Sequence, residues 1–572
     1  MMIKWNSLLT TVFVLLVCLG VRGADEEIVE VTTFQRGTMR GRVRRSEDGT
    51  PVYVFLGIPY ANPPVGDLRF KKPKITERFN TPFDAVKMPP ACPQYSKQPF
   101  PWYDSEPGQS EDCLYLNIWS PNITNINEER RPVKVYVHGG GWFETGSNRM
   151  GYYDGYGEAL DTKDENGNSR KDGVIVVTIN YRLGPLGFLS SGTADAPGNI
   201  GLHDISLASS FVSNNIRGFG GDFDRTVYVG QGAGAIAVSL FTQTFQIQGI
   251  QDFVLNGATF LSLKALEGVD EKGDPYDNNL RLTDVLAKAV GCQTSVKDKP
   301  ADTVACLRGV NVSDLMSAMA SLSPQGPPNV FLPQFKGKDG FFDKDPYEDF
   351  EYGARQSILA TFTSDEGSHL LTTAYPKVFG VFGENDVPLS AACAKLMTRR
   401  FLKKFNQSVA DALLGDLDRK PSTENRKKVI QAFGDVYFNC PIVFFAEAQK
   451  RVVQAERPTK FYMLEREVNP PYNPWAKWMG SVEFNNVQTD FEHADGTLTI
   501  NNQTYKFTDQ QREQSRVRKE IFVSFANKKE LPFDEFTTED PAYSVLSVDG
   551  KLSEKKSNYH GQNCDILRPY FM

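Results

Sequence analysis

The sequence has 572 residues, 40% of them apolar and 12% aromatic, and its 63 Lys and Arg against 70 Asp and Glu give a net charge of −7. A chain this long can bury a large core, and length alone suggests several domains of about 150 residues. The acidic balance supplies no bulk attraction for a polyanion, which argues against nucleic acid as a partner.

In chain order, Lys4, the apolar run Leu8 to Gly20 and Val21-Arg22-Gly23 have the form of a secretory leader cleaved before Ala24. Residues 1–23 are therefore expected to be a signal peptide and 24–572 a secreted mature chain. Without Lys4 and Arg22 that chain has 61 basic and 70 acidic residues, a charge of −9. No later uninterrupted run reaches the roughly 18 to 20 apolar residues a bilayer span needs, and Arg568 to Met572 form no apolar tail, so no membrane span is expected. Sequons at Asn122, Asn311, Asn406 and Asn502 fit an exported glycoprotein. Cys18 leaves with the leader; Cys92, Cys113, Cys292, Cys306, Cys393, Cys440 and Cys564 remain, an odd number that leaves at least one unpaired within the chain.

The segments VTTFQRGTMRGRV (31–43) and PVYVFLGIPYA (51–61) alternate like antiparallel strands. Arg42-Val43-Arg44-Arg45 has the spacing of a processing site but falls inside this hairpin, where paired backbone is a poor protease substrate. The runs VKVYVHGGGW (133–142), GVIVVTINYRLG (173–184) and RTVYVG (225–230) are β-branched and close on glycine, with the helix-like DISLASSFVSNNI (204–216) between the last two. Strand, helix, strand order implies a parallel sheet with function at the carboxyl ends of its strands. The second half has helical spacing in LTDVLAKAVG (282–291), AACAKLMTRRFLKKF (391–405), ENRKKVIQAFGDVYF (424–438), FAEAQKRVVQAE (445–456) and QQREQSRVRKEIFVSFAN (510–527). The polar stretches DTKDENGNSRKDG (161–173) and EGVDEKGDPYDNN (267–279) read as surface loops. No repeat and no domain boundary is visible.

The strings GIPYANPPVGDLRF (57–70), SEDCLYLNIWSP (110–121), HGGGW (138–142), NYRLGPLGFL (180–189), PGNIGLHD (197–204), FGGD (219–222), SDEG (364–367) and WMG (478–480) resemble, in order and spacing, the cholinesterase and type-B carboxylesterase branch of the α/β-hydrolases. The resemblance implies an α/β-hydrolase fold, a large, mostly parallel central sheet flanked by helices in a single domain. It also implies disulfides Cys92–Cys113, Cys292–Cys306 and Cys440–Cys564, and ion pairs Arg69–Glu111 and Arg182–Asp204. Cys393 is then the odd thiol, read from AACAKLM as buried and inert.

The enzymes of this branch carry serine at the centre of a GxSxG turn. Here the turn is Gly230-Gln231-Gly232-Ala233-Gly234, and Gly232 offers no nucleophile. The resemblance puts the acid at Glu366, which is present, and the base at 483, which is glutamate. Leu255-Asn256-Gly257-Ala258 replaces a serine-bearing second segment. Gly140, Gly141 and Ala233 match the oxyanion-hole amides, although the glycines also serve the loop's turn. Of the histidines, His138 and His203 occupy structural motif positions, His203 in a strand-to-helix turn; His369, His493 and His560 remain, and His493, ten residues past the expected place, is the least excluded as a base.

Glu366 and Glu483 are expected in one buried pocket, where they share a proton, bind a cation, or separate as Glu483 turns to solvent. No resident metal or other cofactor is expected. The leading expectation is a secreted, catalytically inactive esterase-like protein that binds an extracellular protein or matrix component, as the non-catalytic neuroligins, neurotactin and glutactin do. The alternative is a carrier of a small hydrophobic ligand in the former substrate gorge, with Trp102, Tyr103 and Trp142 on its wall. A third reading is an active ester hydrolase with an atypical nucleophile, and a homodimer through the C-terminal helices stays open.

Overall fold

A computed structural model describes residues 27–572 except 97, 99, 105–107, 124–128, 165, 245–250, 272, 323–328, 338–339, 343, 348–355, 452–458, 492–495 and 501–502. The expected signal peptide, the sequon at Asn502 and the candidate base His493 lie outside the described residues.

Thirteen of the described strands form one sheet, and four more form two small hairpins. One edge is antiparallel: Ile28–Thr33, Gly37–Arg45, Pro51–Pro59, Tyr115–Ser120 and Ile175–Ile179 pair in that spatial order. From Ile175–Ile179 onward the pairing is parallel through Arg131–Val137, Gly221–Gln231, Asp252–Asn256, Ser357–Thr363, Phe461–Arg466 and Ala542–Leu546. The parallel strands are buried along nearly their whole length, which explains why Arg131–Val137 and Ile175–Ile179 read as continuous apolar runs. Arg42 to Arg45 are paired within the first hairpin, as the sequence places them, and Arg44 also meets Asp154 at 2.7 Å.

Helices Ile200–Asn215, Ala233–Leu240, Cys440–Arg451 and Asp509–Ala526 cover the sheet. The last begins with Thr508 accepting from the Gln511 amide while the Gln511 side chain answers the Thr508 amide, a reciprocal cap that fixes its start. The continuous helical segment Thr423–Arg451 is long and apolar enough to cross a membrane by length and composition, although Asp435 and Glu447 interrupt its apolar residues. Its test window is 94% buried within the protein, the setting of a core helix.

Two further expectations change. The stretch 267–279 is not loop to its end, because Tyr276–Ala289 is helical and takes its last four residues. His203 sits inside the helix Ile200–Asn215 rather than in the turn before it, edge-on to Phe341 with ring centroids 5.0 Å apart.

Three disulfides join Cys92 to Cys113, Cys292 to Cys306 and Cys440 to Cys564, with Cα separations of 5.0, 6.0 and 5.1 Å, the pairing the resemblance implies. On the chain-entropy account each stabilises by about 3 to 5 kcal/mol. Cys393 is exposed, not buried. The helix Ala391–Phe401 buries Ala394 and Thr398 instead, so the apolar residues of AACAKLM straddle its solvent face and leave Leu396 67% exposed.

Candidate functional site

The chain runs from Arg131–Val137 to Ile175–Ile179 on one side and then crosses to Gly221–Gln231 on the other, so the order reverses between these strands. Ligands of open parallel sheets bind at such a reversal, beyond the carboxyl ends. Here those ends carry the glycine loop His138 to Trp142 and the turn at Gly232.

Gly232 alone joins the strand Gly221–Gln231 to the helix Ala233–Leu240. Its φ of 51° and ψ of −114° lie where side chains other than hydrogen are strained. Its amide donates to Asn256 O at 2.9 Å and its carbonyl accepts from the Ile236 amide at 3.0 Å, so the elbow is held from both sides. Across from it, the amides of Gly140 and Gly141 donate to no described residue, and the Ala233 amide opens the helix. Gly140 is required by space, since a β-carbon there would lie 2.3 Å from Thr145 O. Gly140, Gly141 and Ala233 thus border one small cavity with Gly232, which offers no hydroxyl there.

Strain gathers around this corner. Trp142 and Phe143 have φ of 60° and 70°, and Phe484, next to Glu483, has φ of 75°. Left-handed aromatic residues are rare, and such outliers cluster where surrounding structure holds a site in shape. Phe484 is fixed by edge contacts to Trp102 and Tyr152, at 5.7 and 5.5 Å.

Glu366 follows the strand Ser357–Thr363 and accepts from the Thr363 amide at 2.6 Å, while its Oε2 is buried without a hydrogen bond. Burial pushes its carboxyl up to about 7. Glu483 is half-buried, its side chain 15% exposed and turned towards His369; desolvation first, and then the nearby charge of Glu366, hold its carboxyl well above the usual carboxylate range. The two carboxyls are near enough for the charge of Glu366 to act on Glu483, but of the two only Glu483 borders the cavity at the elbow. Among the described residues no group of three or more His, Cys, Asp or Glu is placed to hold a metal ion.

The partner of Glu483 is a residue to which the sequence reading gave no role. His369 Nε2 lies 3.2 Å from Glu483 Oε2, and His369 Nδ1 lies 3.1 Å from the Glu366 carbonyl. A carbonyl can only accept, so Nδ1 carries the proton; in a neutral ring Nε2 is then the acceptor, and Glu483 donates to it as a carboxylic acid. Burial lowers His369 to about 4, which agrees with a neutral imidazole. A signal was present: His369 is one helical turn beyond Glu366 in EGSH, on the same side of the chain.

The elbow opens on a small cavity of about 40 Å³ bordered by Gly232, Ala233, Glu483 and His369, space for about three waters. A second cavity of about 600 Å³ adjoins it, and Trp102, Gly141, Trp142 and His369 line both. Trp102 and Trp142 thus form its wall as expected. Tyr103 does not line it; Trp102 is turned inward with 7% exposure, and its chain neighbour faces away. Glu144, also unremarked in the sequence, lines the large cavity with a carboxyl that no described residue pairs, and burial pushes it well above the usual range.

His138 is structural: buried, stacked on Tyr181 at 4.6 Å, and lowered to about 4 by burial. The ion pairs Arg69–Glu111 and Arg182–Asp204 are formed, with Nε to carboxylate distances of 2.7 and 2.8 Å. Asn311 and Asn406 are exposed, Asn122 is half-buried, and Asn406 caps the helix Gln407–Leu414 through Oδ1 at 2.9 Å from the Val409 amide.

A mostly parallel sheet that turns through a glycine elbow at its point of strand reversal defines the protein as an α/β-hydrolase in fold. Within that class the chain belongs to the carboxylesterase family, whose sequence profile it matches over residues 25–567. It is similar to acetylcholinesterase-1 of Trittame loki, 29% identical over 97% of this chain and 96% of that one. It is likewise similar to an acetylcholinesterase of Bungarus fasciatus, 28% identical over 93% and 85% of the two chains, and to a cholinesterase of Mus musculus, 30% identical over 82% and 74%.

Proposed function

We propose that this chain is a secreted, non-hydrolysing member of the carboxylesterase family that binds a small hydrophobic ligand in the former substrate gorge. The observation that carries the loss of hydrolysis is the elbow: Gly232 has no side chain, and the residue facing it is a carboxylic acid engaged with His369. Acyl transfer needs a nucleophile and a base beside it. Backbone donors alone leave about 10³ to 10⁴-fold over uncatalysed water, far below a working esterase.

The cavity favours a small ligand over the protein or matrix partner that the sequence puts first. A volume of about 600 Å³ falls within the range of roughly 300 to 1,000 Å³ for small-molecule pockets, and its walls set aromatic and aliphatic residues among a smaller number of polar ones. Three results test the reading on purified protein. Hydrolysis of p-nitrophenyl butyrate stays at the rate of denatured protein, an organophosphate probe leaves the chain unlabelled, and an apolar fluorophore binds saturably. Labelling of an active serine, or turnover near that of a true esterase, sinks it.

A further inference from the structure

The residues of the large cavity sort by exposure into an interior and a mouth. Trp102, Met316 and Met319 are 7, 7 and 4% exposed, and Trp142 is half-buried beside them. Lys377, Arg400 and Lys403 are exposed and so border the opening. Lys403 is neutralised by Glu267 at 2.7 Å, the one acidic residue at the mouth among the described residues. Lys377 and Arg400 have no ion pair among the described residues. The mouth therefore keeps two uncompensated cations above an apolar interior.

That charge pattern selects between ligand classes. A cation must pass two like charges to enter, whereas an anion is drawn to the opening and can leave its charged end there while its apolar part is buried. Glu144 is the one further carboxyl on the wall among the described residues, and burial raises it well above the usual carboxylate range, which favours its uncharged form. A carboxyl in its uncharged form costs an entering anion no Coulomb repulsion.

We propose that the cavity takes an anionic amphiphile, a long-chain fatty acid, whose carboxylate sits at Lys377 and Arg400 while its hydrocarbon chain lies against Trp102, Trp142, Met316 and Met319. This rests on the ligand-binding reading above, and it adds what that reading leaves open: the sign of the ligand's charge and the residues that recognise it.

The test is displacement of cis-parinaric acid from the full chain by oleic acid and by methyl oleate, each below its aggregation concentration. The same chain length buries the same apolar area, so the difference reports the carboxylate alone. Oleic acid is expected to compete about fivefold more strongly than its ester, the scale of one or two exposed ion pairs. The preference should shrink in 1 M salt, where the screening length falls to about 3 Å. In the double variant Lys377→Gln/Arg400→Gln, which changes only exposed side chains, the acid and the ester should compete within about twofold of each other. Equal competition by acid and ester in the native chain overturns the anionic class and leaves the cavity reading standing. A preference that survives in the double variant overturns the assignment to these two residues. Absence of any saturable parinaric acid binding overturns both readings.

Discussion

The carboxyl of Glu483 occupies the space into which a side chain at Gly232 would project: a β-carbon at 232 would lie 2.7 Å from Glu483 Oε1. The two departures from the esterase pattern are therefore one structural event. Glycine makes room for the acid, and the acid takes His369 as its hydrogen-bond partner at 3.2 Å. Restoring a side chain at 232 while Glu483 remains puts two groups in one place.

Gly232→Ser alone is expected to gain no esterase activity, because its hydroxyl meets a carboxylic acid rather than a base. It should lose about 1 to 3 kcal/mol of stability from the strained backbone. Gly232→Ser/Glu483→His supplies nucleophile and base with Glu366 already in place. This double variant is expected to hydrolyse p-nitrophenyl acetate on the order of 10²-fold faster than either single variant, the lower range of general-base catalysis. Initial rates with all three variants decide it, and equal activity in the serine variant alone would refute the account of Glu483.

The buried acids give a pH dependence of defined sign. Glu366 is raised from its ordinary value of 4.5 to about 7 by burial, so the native state holds its proton more tightly than the unfolded chain does. The stability this confers is complete below pH 4.5 and is lost as pH rises through about 7, a change of about 3 kcal/mol. His369 acts oppositely, since burial lowers it to about 4 and stability falls as pH drops from 6.5 towards that value. Thermal melts of native protein and Glu366→Gln between pH 4.5 and 8 should diverge, the variant gaining on the native chain up to about pH 7 and holding a constant lead above it. Parallel curves would show that Glu366 does not carry a raised pKa.

Much of this architecture was legible in the sequence because it depends on local pattern. Continuous β-branched runs closed by glycine marked the strands Arg131–Val137, Ile175–Ile179 and Gly221–Gln231, and the turn at Gly232 follows from its flanking glycines. The pairing of His369 with Glu483 was not legible, because it joins the start of the helix Ser368–Ala374 to a loop far along the chain. Cys393 was misread for a different reason. Counting apolar residues in AACAKLM gives their number but not the phase of the helix, and that phase is set by the packing of Ala394 and Thr398. Tyr103 failed in the same way, since adjacent residues in an irregular segment point in different directions and only Trp102 faces the cavity.

On the opposite face of the sheet, Lys134 and Glu158 are fully buried and 3.3 Å apart, and Arg518 also pairs with Glu158. Arg466 and Asp490 form a second buried pair beside them, which Arg518 joins at 3.7 Å. Burial is the first cause that lowers Lys134, to about 8, against the attraction of Glu158 and Asp490. Glu158→Ala leaves Lys134 without its carboxylate partner in the core and Arg518 with Asp490, and loss of a buried partner costs about 3 to 5 kcal/mol. Urea unfolding should show that drop as a lower midpoint at unchanged slope. A shift under about 1 kcal/mol would mean that water reaches the cluster.

The exposed thiol gives the last expectation. Among the described residues six cysteines are in disulfides, and Cys393 stands on the solvent face of the helix Ala391–Phe401, its amide donating to the Ser390 hydroxyl at 3.2 Å at the helix start. An exposed thiol is open to a small reagent from solvent. Titration of the native mature chain with dithionitrobenzoate should therefore release one equivalent without denaturant, and Cys393→Ser should release none. The exposed position also leaves Cys393 free to be oxidised to an intermolecular bridge, which non-reducing electrophoresis would register as a reducible dimer that the serine variant cannot form. A thiol that reacts only after unfolding would mean that another surface covers this face of the helix in solution.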